Sequence, residues 1–147
     1  MWHGGSPRDL GAPVTVRRLD HVAIPVDDMD TMLNFYTSIG FTVDDSMKPL
    51  MMSVCCGDMK LNLHYPQAWQ SGEFDLRGPT AVPGCGDVCM VWDGTEAELE
   101  VLLSTASVSV IEGPVERVGG KDIGSATGAS RYVRDPEGNL LEFIIYP

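Results

Sequence analysis

From Arg18 to Val26 apolar and polar residues alternate with period two and valine and isoleucine dominate, which predicts a strand. Asp27, Asp28 and Asp30 follow, any of which can cap the helix described by Met32, Leu33, Phe35, Tyr36 and Ile39, and Gly40 stops it. Extended runs come next over Phe41–Val43, Leu50–Cys56 and Lys60–Tyr65, the last two joined by a turn at Gly57-Asp58. The order is strand, helix, strand, strand, strand.

Pro66 to Gly84 has little periodicity and contains Gly72, Gly78, Pro79, Pro83 and Gly84, the composition of a linker. The same order then returns. Asp87–Trp92 reads as a strand, and Asp93-Gly94-Thr95 opens a helix whose apolar side carries Ala97, Leu99, Val101, Leu102 and Leu103. Val108–Ile111 reads as extended, and a glycine-rich loop passes through Gly119, Gly120, Gly124 and Gly128. Ser130–Arg134 and Leu140–Tyr146 close the set as a hairpin around Asp135-Pro136-Glu137-Gly138. A βαβββ unit written twice predicts an α+β fold of two modules. The expected organisation is an N-terminal arm over 1–16 and one domain over 17–147. Within it, module one spans 17–66, the linker 67–84 and module two 85–147.

Residues two apart in a strand share a face. Val22, Ile24 and Val26 form an apolar row matched by Val88, Met90 and Trp92, and Leu61, Leu63 and Tyr65 are matched by Leu141, Phe143 and Ile145. The other face carries His21, Asn62, His64, Asp87 and Glu142. His21 and Asp87 stand 66 positions apart, as do Asp27 and Asp93. His64 and Glu142 stand 78 apart and read as a second equivalent pair, the extra residues falling in the glycine-rich loop. Imidazole and carboxylate groups gathered on one face need a partner, and a divalent cation (Ni, Zn, Mn or Fe) is an economical one. His21, His64, Glu142 and Asp87 are therefore the expected metal ligands.

Charge narrows the partners. The 147 residues hold 10 Lys and Arg against 21 Asp and Glu, a formal charge of -11 that disfavours nucleic acid and anionic membranes. No apolar run approaches the roughly 18 residues of a membrane span. The first sixteen residues lack the apolar stretch of a secretory signal, so the expected location is cytoplasmic. Cys55, Cys56, Cys85 and Cys89 then read as reduced packing residues, since an adjacent pair and a C-x3-C spacing do not suit a zinc knuckle.

The stretches Leu19-Asp20-His21-Val22-Ala23-Ile24, Asn34-Phe35-Tyr36 and Gly40-Phe41 resemble the opening of a vicinal oxygen chelate module. Arg134-Asp135-Pro136-Glu137-Gly138-Asn139-Leu140-Leu141-Glu142 resembles its closing hairpin. Lys60-Leu61-Asn62-Leu63-His64 and Glu112-Gly113-Pro114-Val115 are most similar to the group of glyoxalase domain-containing protein 5. The resemblance covers about residues 17–147 and implies paired βαβββ modules around a metal cavity, with metal positions mapping onto His21, His64, Asp87 and Glu142. Many members have His where this chain has Asp87. The resemblance assigns no anion clamp; Arg131, Arg134 and Lys121 are candidates, with Arg134 expected to brace its hairpin.

The activity this implies is a metal-dependent lyase or isomerase of glyoxalase type. Such a site chelates adjacent oxygens of a small substrate, with Glu142 as first candidate base and Asp87 as second. An extradiol-type ring-cleaving dioxygenase is the second enzymatic reading. A metal-free drug-binding protein, like the bleomycin-resistance relatives, is the third. The glycine-rich loop is a candidate lid. Each module exposes a sheet edge, which predicts pairing within the chain or across a homodimer.

Overall fold

Two helix caps show how local chemistry sets the modules. In the computed structural model, which describes residues 15–147, the Asp28 carboxylate accepts the Thr31 N–H at 3.1 Å and starts the first helix. Thr95 and Glu98 form a reciprocal capping box at the second, with Thr95 Oγ1 accepting from Glu98 N–H at 3.1 Å and Glu98 Oε2 from Thr95 N–H at 2.9 Å. The arm expected over 1–16 lies outside the described residues, apart from Thr15 and Val16, which carry no regular structure.

The elements are β1 (His21–Pro25), α1 (Met29–Ser38), β2 (Thr42–Asp44), β3 (Met51–Cys56) and β4 (Met59–His64), then α2 (Pro66–Gln70). There follow β5 (Asp87–Val91), α3 (Glu96–Thr105), β6 (Glu112–Val118), α4 (Lys121–Gly124), β7 (Thr127–Arg134) and β8 (Leu140–Ile145). They build two four-stranded sheets, ordered β1-β4-β3-β2 and β5-β8-β7-β6, with the first and last strands of each module parallel and the other pairs antiparallel. The α+β fold of two βαβββ modules is thus observed. Among the described residues no helix is long and apolar enough to cross a membrane.

Two segments differ from the pattern reading. The sixth strand is Glu112–Val118 rather than Val108–Ile111; its bulge next to Gly113-Pro114 breaks the alternation that would have marked it. The linker is packed, not free: Pro66 opens the short α2, Ala68 is buried, and Trp69 Nε1 donates to the Val26 carbonyl at 2.9 Å.

One hydrophobic core serves both modules. Met32, Tyr36, Val54 and Leu63 from the first join Leu99, Leu103, Val133 and Leu141 from the second in a single buried cluster. The β7–β8 turn latches onto α1. Tyr36 Oη donates to Asp135 Oδ2 at 2.8 Å, and the Glu137 carboxylate accepts the Asp27 and Asp28 N–H groups. Asp135 is itself buried and also accepts from Asn139 Nδ2 at 2.7 Å, which fixes the turn that carries Glu137.

Candidate functional site

Each sheet turns one face to the shared core; the opposite face is the more open on the second sheet, whereas on the first Ser53, Asn62 and His64 are buried. On the open face of the second sheet the register aligns one residue per strand: Cys89 on β5, Glu142 on β8, Tyr132 on β7 and Glu112 on β6. Ser130 Oγ donates to Glu142 Oε2 at 2.7 Å. Arg117 Nε donates to Tyr132 Oη at 3.1 Å, and its guanidinium carbon lies 5.7 Å from that ring's centroid. Burial pushes the Glu142 carboxyl up, but hydrogen bonding to Ser130, Tyr132 and Cys89 outweighs it and leaves the group below its ordinary range. The same neighbourhood acts oppositely on the acids around it. Hydrogen bonding to Glu142 raises the Tyr132 hydroxyl, and burial followed by the Glu142 charge pushes the Cys89 thiol up to about 12.

The first sheet repeats this row with Ala23 on β1, Asn62 on β4, Ser53 on β3 and Asp44 on β2. Ser53, in the place that Tyr132 holds opposite Glu142, donates its Oγ hydrogen to Asn62 Oδ1 at 2.8 Å. The pairing corrects one sequence equivalence. Ala23 pairs with Asn62 as Cys89 pairs with Glu142, so the counterpart of Glu142 is Asn62, 80 positions before it, and not His64.

His64 takes the place that Ile144 holds in the second module, two residues further along the strand and opposite Pro25 and Met51. It is 4% exposed, and its ring stands edge-on to Phe74 of the linker with centroids 5.4 Å apart. Burial, and then the Arg77 charge, lower its pKa. His21 pairs with Lys60 four positions from Pro25, so about 13 Å of strand separates the two histidines.

His21 is exposed, with Nδ1 at 2.7 Å from Asp20 Oδ1. The Asp20 carboxyl lies below its usual range, the His21 hydrogen bond being the main cause, so it can only accept. Nδ1 is therefore the donor in this contact, which leaves Nε2 as the second ring nitrogen. Asp87 is exposed at the start of β5, opposite Leu140, in the position equivalent to His21. Among the described residues no three His, Cys, Asp or Glu side chains gather closely enough to hold a metal ion. His21 and Asn62 on the first sheet stand at the register positions that Asp87 and Glu142 hold on the second.

A cavity of about 830 Å³ opens beside Glu142, with Cys89, Val91, Trp92, Lys121 and Tyr146 also in its wall, and Asp87 outside it. The candidate clamps separate clearly. Arg131 is buried on the core face, with Nη2 held by Glu96 at 3.2 Å and Glu100 at 2.8 Å. Arg134 Nη1 donates to the Gly138 carbonyl at 2.9 Å and braces the turn. Lys121 alone of the three reaches the cavity. Ser130, Tyr132 and Arg117 escaped the sequence reading, although counting outward from the Asp135–Asn139 turn places Tyr132 opposite Glu142.

The chain is similar to known proteins over almost its whole length. The family model described as "Glyoxalase/Bleomycin resistance protein/Dioxygenase superfamily" matches residues 18–143. Virulence protein STM3117 of Salmonella typhimurium is 34% identical over 134 residues, 89% of this chain and 85% of that protein. Its crystal structure superposes with a TM-score of 0.78, covering 91% of this chain and 100% of that one. Glyoxalase domain-containing protein RDO1 of Mycosarcoma maydis is 36% identical over 151 residues, 99% of this chain and 75% of that protein. Lactoylglutathione lyase from Agrobacterium tumefaciens shares the fold at 20% identity, with a TM-score of 0.65 over 89% of this chain and 95% of that one.

Proposed function

Because the chain belongs to the glyoxalase/bleomycin resistance protein/dioxygenase superfamily, we propose that it is a metal-dependent lyase or isomerase of glyoxalase type. Its substrate is a small molecule held through two adjacent oxygens. The observation that supports this reading is the equivalent register of His21 and Asn62 on one sheet and Asp87 and Glu142 on the other.

The donor set fits a divalent cation. It offers one imidazole nitrogen, one amide oxygen and two carboxylates, with Asp20, Ser53 and Ser130 in contact with His21, Asn62 and Glu142. In this reading His64 is a wall residue and Asn62 stands in its place among the ligands. A bound cation supplies Lewis acidity to the substrate oxygens. The chain's own residues handle the proton. Glu142 is ionised near neutral pH and takes it, while Ser130 holds Oε2 and fixes the carboxylate's orientation. Arg117 fills an acceptor site on Tyr132 Oη, which directs the phenol's own hydrogen to the Glu142 side.

A second copy of the chain completes the site. The two pairs lie on separate sheets whose edge strands β1 and β5 each have one hydrogen-bonded neighbour, and Val91 beside Glu142 is 66% exposed. We place this homodimer in the cytoplasm.

The experiment is metal analysis by inductively coupled plasma mass spectrometry of untagged protein purified without chelator. About one Ni, Zn, Mn or Fe per chain is expected, lost in Glu142→Gln and retained in His64→Gln. No metal as purified, and none after adding each ion to the apo protein, overturns the enzymatic reading in favour of metal-free binding.

A further inference from the structure

The two modules match across their cross-strand rows, so what the second carries beyond the first marks what is particular to it. From Asp44 to Ser53 the first module runs nine positions; from Glu112 to Tyr132 the second runs twenty, between residues paired in the same way. The additional eleven residues prolong β6 and β7 past the row and end in the loop containing α4.

This prolonged hairpin lies down on its own sheet. A Cβ on Gly119 would collide with Tyr146 Oη, and one on Gly128 would fall 2.7 Å from Ile144 Cγ1, so both positions need glycine for the loop to reach β8. The approach carries Lys121 to the cavity of Glu142. There its N–H donates to Tyr146 Oη at 3.4 Å, and its Nζ rests 5.3 Å from the Tyr146 ring centroid. In a chain of net charge -11, this ammonium has no carboxylate within 4.0 Å among the described residues. The other charged side chains in the cavity wall are Asp93 and Glu142, and Glu142 is already held by Ser130.

We propose that the prolonged β6–β7 hairpin makes this cavity selective for an anionic substrate, with Lys121 as the residue that takes its carboxylate. The class is a small 2-oxo or 2-hydroxy acid bearing a second carboxylate. The adjacent oxygens face Glu142 and the distal carboxylate faces Lys121. The assignment rests on the Glu142 cavity being the substrate site, as proposed above. Lys121 is a specificity residue; it has no part in the proton transfer.

Trp92 lies in the same wall and reports binding without turnover. The protein is labelled with 5-fluorotryptophan, and the Trp92 signal is assigned with Trp92→Phe. It is then titrated with 2-oxoglutarate, 2-oxoadipate and 2-oxobutyrate, which lacks the distal carboxylate, before and after loading with Mn, Ni or Zn. At least one diacid is expected to bind about five- to tenfold more tightly than 2-oxobutyrate, the worth of a partly exposed ion pair. Lys121→Met should erase that preference and Lys121→Arg should keep it. Equal affinities, or a preference that survives Lys121→Met, overturn the Lys121 assignment and leave the cavity standing. If no acid shifts the Trp92 signal in any metal state, the cavity reading fails and this inference with it.

Discussion

Glu137 and Asp28 meet across 109 positions of sequence: the Glu137 Oε2 accepts the Asp28 N–H at 2.8 Å, while both of its oxygens lie 2.9 Å from the Asp27 nitrogen. A carboxylate at the start of a helix satisfies N–H groups that no backbone carbonyl reaches, and it opposes the helix dipole. Here Glu137 comes from the other module and adds to the cap that Asp28 provides, so it also ties the two together. Glu137→Ala should cost about 1–2 kcal/mol and lower the melting temperature by about 3–6 °C, with Glu137→Gln losing roughly half as much. Calorimetry of the three proteins at one pH checks this, and an unchanged melting point for Glu137→Ala would remove the latch from the account.

The Tyr36–Asp135 bond makes a second prediction. Tyr36 is fully buried, and burial followed by the neighbouring Asp135 charge drives its hydroxyl far above the ordinary range. Tyr36→Phe keeps the ring and removes one donor from a buried carboxylate, a loss of about 1–3 kcal/mol. The melting curve reads the loss, and absorbance at 295 nm should show one tyrosine that ionises only when the protein unfolds.

His64 predicts a pH dependence. Because burial lowers its folded pKa, the neutral ring is favoured in the folded state and the charged ring in the unfolded one. Stability from this group is complete above about pH 6.5 and is lost as pH falls through the lower folded value. The melting temperature should therefore fall between pH 7 and pH 5, and His64→Leu should flatten that part of the curve. A slope unaltered by the substitution would place its origin elsewhere.

Cys89 should be the slow thiol. Its pKa of about 12 leaves almost no thiolate at neutral pH, and the Glu142 charge is the second cause after burial. Although both residues are exposed, iodoacetamide at pH 7.5 should label Cys85 well before Cys89, with peptide mass spectrometry as the readout. Glu142→Gln should speed Cys89 labelling severalfold; no change would detach the thiol from that carboxylate.

Much of this architecture can be read in the chain itself, because strand and helix periods are imposed by burial and leave a trace at every second or third residue. Gly40 marks the end of α1 for a direct reason: it sits at φ +99°, a left-handed conformation that favours glycine. The register was harder. Leu61 and Leu63 align with Leu141 and Phe143 at an offset of 80, yet matching His64 to Glu142 by chemical type gives 78. Apolar rows follow the pleat, whereas similar side-chain chemistry does not, and a two-residue slip keeps the same face while moving a donor by a full pleat. Asn62 lies on the same face, but an uncharged amide gives a weaker chemical signal than an imidazole. Tyr132, Ser130 and Arg117 belong to the site only through pairing across strands, which no local pattern records.

The single core shared by both modules also bears on how such a gene can be divided. Leu99, Leu141 and Val133 of the second module lie in one buried cluster with Met32, Tyr36 and Leu63 of the first, and the first helix takes part of its cap from residue 137. A half-length polypeptide ending in the segment 71–84 would therefore display half of a core as a sticky surface. The two halves made together would reassemble, so the chain is suited to splitting at that segment as a pair of complementing fragments, and unsuited to shortening.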